Sequence, residues 1–210
     1  GLLRPGPEAI FDPAFATFSP IEMVKTPTAA TFDFPVGSRL AALSYNAQPF
    51  MENNHLGDDL NGIGGWNSDL GDPVYAVSDG FVIYAGWASD GWGNVVILLH
   101  ERPNGKVIQT LYSHLDSIHV PVDYSVRRGE QLGTMGNANG RYLAHLHFEI
   151  RGYPSLAVGS GYYLTELGRL PAEVSIEEWR NRADDHLSSA PVGEPLPAKS
   201  LQVEQKTSTP

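Results

Sequence analysis

The sequence predicts a mainly β protein with a compact antiparallel core, in a sheet or a sandwich, and three observations support this fold class. Short apolar segments rich in Val, Ile, Tyr and Phe recur between about residues 74 and 150, with turn residues between them. The chain contains 22 glycines and 16 prolines, which suit a fold with many turns. No helical pattern separates these segments, so we expect antiparallel pairing rather than βαβ units.

The turn signals divide this region into strands. Asp79-Gly80 is a strong turn pair, and Pro103-Asn104-Gly105 marks a second turn. The expected strands are 74–78, 81–85, 94–100, 106–115, 131–135 and 144–150.

The flanking regions have a different character, and the chain is expected to divide into four stretches. Prolines interrupt the N-terminal residues, where one or two strands, such as 29–34, are expected. Ser175-Ile176-Glu177-Glu178 has the pattern of a capping box and predicts a helix to about Leu187. The stretches are an irregular arm (1–50), a core domain (51–155), an extension with a short helix (156–187) and a Pro/Ser-rich tail (188–210).

Composition excludes several classes of function. The net charge of −10 argues against a nucleic-acid-binding protein, which would carry a basic face. No apolar run is long enough to span a bilayer, so no membrane span is expected. The chain has no cysteine, so any metal must be bound by histidine and carboxylate groups.

The stretch from Ala144 to Ile150 alternates in the manner of a strand. His145, His147 and Glu149 fall on one face, and the residues between them are apolar. Two imidazoles that project together from a stiff backbone suit a metal site. A His-x-His pattern taken alone is weak evidence, because two polar residues on a solvent-facing side would give the same pattern.

A carboxylate and further histidines lie upstream of this strand. A catalytic zinc takes three protein ligands and leaves a fourth position open. His55 and Asp59 are four residues apart, so one tight turn could direct both at a single ion, although a surface pair would show the same spacing. His114 is either a functional residue or a polar residue at a strand end.

The order of the motifs along the chain is more specific than any one of them. They are His55-Leu56-Gly57-Asp58-Asp59-Leu60, Gly71-Asp72-Pro73-Val74-Tyr75-Ala76, Asp79-Gly80, Gly93-Asn94-Val95-Val96-Ile97, Leu111-Tyr112-Ser113-His114-Leu115, Arg128-Gly129-Glu130-Gln131-Leu132-Gly133 and His145-Leu146-His147-Phe148-Glu149-Ile150-Arg151. This series, from about Asn54 to Arg151, resembles the lysostaphin-like, or LytM-type, zinc metallopeptidases that cut peptide bonds in bacterial peptidoglycan.

The resemblance implies a zinc ion in a groove of the β core and assigns a role to each matching residue. His55, Asp59 and His147 correspond to the zinc ligands, and His114 and His145 to the unligated catalytic pair. A neutral imidazole is a suitable base for water near neutral pH, and a second imidazole can stabilise an oxyanion. The implied activity is that of a zinc metalloendopeptidase acting on the stem peptides or cross-bridges of peptidoglycan.

Two segments depart from the family pattern. Residues 61–72 form a longer connection than usual, and Leu143-Ala144 replaces the more usual Gly-Pro. Both border the expected groove, so they bear on substrate preference rather than on chemistry. Trp66, Trp87 and Trp92 lie in glycine-rich loops, where they either line the groove or cover the edge of the core.

Two alternative functions fit the resemblance. Some LytM-type domains have lost their ligands and act as binding modules that regulate other wall hydrolases, whereas every motif position is filled here. A secreted protease of glycine-rich proteins would use the same zinc chemistry. On either the enzyme or the module interpretation the family implies an exported protein, periplasmic or in the cell wall, whose signal segment is not in this chain. The bond cut, the oligomeric state and the covering of the groove by arm or tail are left open.

Overall fold

A computed structural model gives the structure of the chain, and it describes residues 25–154 and 158–180. These residues form ten strands, one turn of 3₁₀ helix at Glu52–Asn54 and one short α-helix, α1, at Ala172–Trp179. The strands are β1 (Ser44–Gln48), β2 (Asp58–Gly62), β3 (Pro73–Tyr75), β4 (Gly80–Ser89), β5 (Gly93–Glu101), β6 (Val107–Ile118), β7 (Ser125–Val126), β8 (Gln131–Met135), β9 (Leu146–Arg151) and β10 (Arg169–Leu170).

All strand pairs in the sheet are antiparallel, which confirms the predicted fold class. The order across the sheet is β1-β2-β9-β6-β5-β4-β7, with β10 paired to β9 and β3 joined through β8 to β6. β9, the His-x-His strand, therefore lies in the interior of the sheet between β2 and β6.

The core lies on both faces of the sheet. The larger apolar cluster takes Leu146, Phe148 and Ile150 from β9 and adds Phe32 from the N-terminal segment and Ile176 from helix α1. A smaller cluster on the other face includes Leu111 and alternate residues of β4 and β5. The continuously apolar stretch of β5 from Val95 to Leu99 is fully buried, because it supplies side chains to both clusters.

The N-terminal prediction of a strand at 29–34 is wrong. The N–H groups there bond three unrelated partners: Ala29 N–H donates to Glu101 O (2.7 Å), Phe32 N–H to Trp179 O (3.3 Å) and Asp33 N–H to Val77 O (2.8 Å). Because these partners belong to different segments, no strand ladder forms, although Ala29 and Phe32 are fully buried.

The predicted helix exists, but it begins and ends earlier than its sequence pattern indicates. It begins at Ala172, three residues before the expected cap, so Ser175 lies inside the helix and is buried. Its cap comes from another element: the Asp58 carboxylate of β2 accepts a hydrogen bond from Glu173 N–H (2.9 Å). The helix ends at Trp179, since Arg180 is extended. The remainder of the predicted helix, 181–187, and the tail, 188–210, lie outside the described residues.

Within 25–154 and 158–180, no helix combines the length and apolar character needed to cross a bilayer.

Candidate metal centre and active-site cleft

The pairing of β2 with β9 brings a carboxylate beside the second histidine of His-x-His. In the register Asp59 lies opposite His147, and Asp58 lies opposite Phe148. Because side chains alternate along a strand, Asp59 shares a face with His147, and Asp58 points to the other face with Phe148. The register therefore separates the two adjacent aspartates into different surroundings.

His55 reaches the same point from the loop before β2. The short 3₁₀ turn reverses the chain with Asn53 and Asn54 in the left-handed region, at φ 51° and 65°. Gly57 then passes so close to β9 that an added Cβ would lie 2.7 Å from His147 Cε1 and 2.7 Å from Phe148 O. This close approach requires glycine, and it allows the buried His55 ring to face His147, with their centroids 4.7 Å apart.

Three donor atoms converge between these elements. His55 Nε2 lies 2.8 Å from His147 Nδ1, and Asp59 Oδ1 lies 2.9 Å from His147 Nδ1 and 3.3 Å from His55 Nε2. The predicted ligand set is thus brought together, and among the described residues it is the group of three whose geometry could hold a metal ion.

The outer nitrogen of each ligand imidazole has its own acceptor. His55 Nδ1 donates to the backbone oxygen of Gln48 (3.1 Å), and His147 Nε2 donates to Glu149 Oε1 (3.2 Å). A carbonyl oxygen and a carboxylate can only accept, so each ring carries its proton on the outer nitrogen. In the neutral state, His55 Nε2 and His147 Nδ1 therefore direct lone pairs at one another and at Asp59.

This arrangement fits a zinc ion. Three acceptors that face one another at 2.8 to 3.3 Å repel unless a cation lies between them. Tetrahedral Zn²⁺ with bonds of about 2.0–2.1 Å to N and O would separate its ligand atoms by roughly 3.3 Å, close to the spacing here. The donor set of two histidines and one aspartate also matches that of hydrolytic zinc sites, with room for a further ligand from the cleft.

The charges of these groups fit the same interpretation. Burial alone would lower the pKa of His147, but hydrogen bonds to the Asp59 and Glu149 carboxylates outweigh it and raise this pKa to about 9. Burial would raise the pKa of Asp59, yet the hydrogen bond from the protonated ring of His147, with His55 3.3 Å away, holds this pKa well below its usual range. Without a metal, a proton on His147 supplies the positive charge that the cluster requires.

The other two predicted residues, His114 and His145, form a pair beside this cluster. Their ring centroids are 4.7 Å apart, and His145 Nε2 lies 3.8 Å from Asp59 Oδ1. His114 Nδ1 donates to Trp92 O (3.1 Å), and His145 Nδ1 donates to Leu143 O (2.8 Å). With the proton on Nδ1, each neutral ring keeps a bare Nε2 that can accept a proton.

Burial keeps both rings of this pair neutral. It lowers the pKa of His114 to about 3, with a further contribution from the charge of His147, and it lowers the pKa of His145 as well. His114 has a φ of 61°, a left-handed conformation that is unfavourable for a residue with a Cβ. Its N–H donates to Trp92 O (2.9 Å), so both donors of His114 hold it against the same carbonyl.

A cleft of about 310 Å³ opens over the five residues. Its walls include Trp92, Tyr142 and Tyr162, and the Tyr162 hydroxyl donates to Gln48 Oε1 (3.1 Å). Trp92 has both predicted roles, since it lines the cleft and packs on the smaller apolar cluster.

The other two tryptophans show a different environment. Trp66 is 83% exposed and Trp87 is 43% exposed, and within the described part of the chain neither lines the cleft.

Sequence reasoning missed Gln48, Tyr142 and Tyr162, whose local sequence carries no pattern. Glu149 did carry a signal, because it continues the alternation that begins at His145.

The long connection at 61–72 holds the residue before His145. Asn67 Oδ1 accepts from Ala144 N–H (2.8 Å), and Asn61 Nδ2 donates to Ala144 O (3.0 Å). Asp69, which is buried, accepts from Gly62 N–H (3.0 Å) and ties the connection back to β2. Ala144 itself is fully buried, so this segment fixes both backbone groups of a residue adjacent to the histidine pair.

Comparison with known proteins identifies the family. The profile described as Peptidase family M23 matches residues 61–158, a stretch that contains the histidine pair and β9. Lipoprotein NlpD of Yersinia enterocolitica is 36% identical over 96 residues, which cover 46% of this chain and 93% of that protein. The chain belongs to peptidase family M23.

Other relatives are longer proteins of different names. Cell division protein DipM of Caulobacter vibrioides is 41% identical over 86 residues, 41% of this chain and 14% of that protein. Glycyl-glycine endopeptidase ALE-1 of Staphylococcus capitis is 34% identical over 96 residues, and murein hydrolase activator NlpD of Escherichia coli is 36% identical over 96 residues. The match to each of these two covers 46% of this chain and 24% of the relative's length. The M23 chain thus spans a minor part of several relatives.

Two solved structures are similar to it. A putative peptidase M23 from Pseudomonas aeruginosa has 27% sequence identity and a TM-score of 0.48, with 66% of this chain and 51% of that chain covered. Lysostaphin from Staphylococcus simulans has 23% identity and a TM-score of 0.46, with 74% of this chain and 55% of that chain covered.

Proposed function

We propose that this M23 chain is a zinc-dependent metalloendopeptidase that hydrolyses peptide bonds of bacterial peptidoglycan, in the stem peptide or the cross-bridge. The observation that carries the proposal is the convergence of three potential metal-ligand atoms, two imidazole nitrogens and one carboxylate oxygen, beside two neutral imidazoles in an open cleft. The non-catalytic alternative is a domain that has lost metal ligands, whereas this chain keeps all three ligand residues and both histidines of the pair. His55, Asp59 and His147 would hold the zinc.

The roles of the residues follow from their hydrogen bonds. Zinc would supply a Lewis acid that polarises the scissile carbonyl and lowers the pKa of a water molecule to about 7. His145 has its Nε2 close to Asp59, so it is placed to take a proton from water on the metal side of the cleft. His114 stands beside it, and an imidazolium formed in this pair can donate to the developing oxyanion.

The lining of the cleft supports a peptide as substrate. The walls are aromatic, and glycines at Gly91 and Gly161 leave backbone exposed to the cleft. Gly161 lies against the indole of Trp92, where an added Cβ would be 3.4 Å from the ring. We propose further that the chain acts outside the cytoplasm, in the periplasm or the cell wall, because its proposed substrate is there and NlpD is named a lipoprotein.

One experiment tests the activity and the bond together. Zinc-loaded protein is incubated with purified sacculi that contain D-alanyl cross-links or glycine bridges, and released fragments are identified by mass spectrometry. Defined peptide fragments from one type of sacculus are expected, and His147→Ala, which loses a ligand, is the inactive control. Cleavage of a glycine-rich protein but of neither type of sacculus would point instead to the alternative protease.

A regulatory role is the second candidate, and the name of the Escherichia coli relative, murein hydrolase activator, favours it. An activator would release no fragments alone but would increase the release caused by a separate hydrolase. It would do so equally with or without His147. Adding wild-type protein and His147→Ala to such a hydrolase separates the two functions.

A further inference from the structure

A buried charge network lies directly behind the proposed metal ligand His147. Glu149 is fully buried on β9, and its two carboxylate oxygens have different partners. Oε1 accepts from His147 Nε2 (3.2 Å). Oε2 accepts from Arg151 Nε (2.7 Å) and from Arg169 Nε (3.3 Å).

The two arginines fix both the ionised state and the orientation of the Glu149 carboxylate. Arg151 is fully buried and Arg169 is 3% exposed, so their charges act on the carboxylate with little solvent screening. Two guanidinium groups, which stay charged, contact this single buried carboxylate, so the network holds Glu149 as an anion. Arg169 comes from β10, which pairs with β9, so the network also joins the last strand to the histidine strand.

From this geometry we infer that Glu149 is a positioning residue: with Arg151 and Arg169 it fixes the His147 tautomer that presents Nδ1 to a metal. The inference rests on the proposed zinc site. Because Oε2 is committed to the arginines, the oxygen that faces His147 is always an acceptor. His147 therefore keeps its proton on Nε2, and Nδ1, which faces Asp59 and His55, is the nitrogen that binds a metal in place of a proton.

The inference makes a sharp prediction for the isosteric variant Glu149→Gln. The two arginines donate only, so they require the amide oxygen on their side. The amide nitrogen then faces His147 Nε2 and donates to it, which places the ring proton on Nδ1. A ring in this tautomer must rearrange before it can bind a metal through Nδ1, in addition to losing the support of a negative charge.

The test measures zinc affinity by competition with a chromophoric chelator at neutral pH. Glu149→Gln is expected to bind zinc about 10–100-fold more weakly than wild type, the usual effect of losing such a supporting group. Glu177→Gln is the matched control, since Glu177 is also paired with an arginine, Arg180 at 2.8 Å, but is half-exposed and distant in sequence. It should bind zinc as wild type does. An affinity of Glu149→Gln within twofold of wild type would overturn the inference.

Nitrogen-15 NMR of the histidine rings provides a second measurement, which does not depend on enzymatic activity. In zinc-loaded wild type, His147 should be protonated on Nε2 and bound through Nδ1, and His55 should show the opposite assignment. In Glu149→Gln without metal, above the pKa of His147, the proton should move to Nδ1. A proton on Nε2 there refutes the tautomer argument. Thermal melting shows whether the variant is folded.

The remaining outcomes are also informative. If Glu149→Gln does not fold, Glu149→Asp keeps the negative charge but shortens the side chain by one methylene, so one carboxylate can no longer reach both Arg151 and His147 Nε2. It should weaken zinc binding by several-fold, and unchanged affinity would count against the inference. If the wild-type protein binds no zinc, the metal site of the proposed function is wrong. If the wild-type protein and Glu149→Gln bind zinc with equal affinity, only the inference about Glu149 is wrong.

Discussion

Asp58 and Asp59 of β2 provide the most direct test of the site, because their side chains point to opposite faces of the sheet and have different roles. Asp59→Ala removes one of three converging donors, whose oxygen lies 2.9 Å from His147 Nδ1. Since losing a mere supporting group costs about 10–100-fold in metal affinity, losing a ligand should cost at least about 10²-fold. The lowered pKa of Asp59 shows that its pairing with His147 outweighs the cost of burial, so Asp59→Ala should also lower the stability of the metal-free protein.

Asp58→Ala is expected to keep its zinc affinity, because Asp58 points to the other face of the sheet, but to lose stability. The Asp58 carboxylate accepts from Phe50 N–H (2.7 Å) and from Glu173 N–H (2.9 Å) in the first turn of helix α1. A lost helix cap costs about 1 kcal/mol, and a second charge-assisted hydrogen bond raises the total to roughly 2 kcal/mol. For a protein of this size that lowers Tm by about 4–8 °C.

The assay is a chelator competition on both variants, with thermal melting of the metal-free proteins. Asp58→Asn is the matched control, since its amide oxygen can retain one of the two hydrogen bonds and should restore part of the lost Tm. If Asp58→Ala loses zinc while Asp59→Ala keeps it, the register of β2 against β9 is not the one described, and the reasoning from alternation is wrong.

Three further predictions follow from the same geometry. His114→Ala and His145→Ala should keep stoichiometric zinc by metal analysis yet lose about 10²-fold or more in peptidoglycan cleavage, and full activity in either variant would contradict the catalytic role proposed for that histidine. The free energy of unfolding of the metal-free protein, measured in urea, should fall as pH rises from about 6.5 to 9. The reason is that the pKa of His147 is about 9 in the folded chain and about 6.5 in the unfolded chain, so protonation of His147 stabilises the fold at low pH and no longer does so above pH 9. A free energy of unfolding that does not change over this range would contradict the raised pKa. Asn67→Ala should lower kcat without loss of zinc, because Ala144 loses a hydrogen bond that helps position the pair, and an unchanged kcat would mean that the connection only fills space.

Much of the site could be predicted from sequence because its parts are strands of regular alternation. The period of two placed His147 and Glu149 on one face, which the described contacts show. The family resemblance, rather than spacing, identified His55 as a partner, since a four-residue separation across a turn is common by chance. Fold class was predictable from turn residues and apolar alternation.

The rest depended on contacts between segments distant in sequence. Ser175 is the first residue of an apparent capping box, but the helix begins at Ala172, because Asp58, over a hundred residues away in sequence, supplies the cap. Residues 29–34 have strand composition, yet their N–H groups bond three separate segments. Tyr142 and Tyr162 reach the cleft on loops whose paths no local pattern encodes.

The back-to-back aspartates also connect metal loading to the C-terminal helix. Strand β2 carries the proposed metal ligand Asp59 on one face and Asp58, which caps helix α1, on the other. A cation bound by Asp59 would therefore restrict the motion of the backbone that positions Asp58. Zinc that binds the folded chain adds RT ln(1 + [Zn]/Kd) to its stability, and part of that gain should reach helix α1. Protease cleavage near residues 171–180 should therefore slow as zinc is added. The helix would act as a reporter of metal occupancy on the opposite face of the sheet.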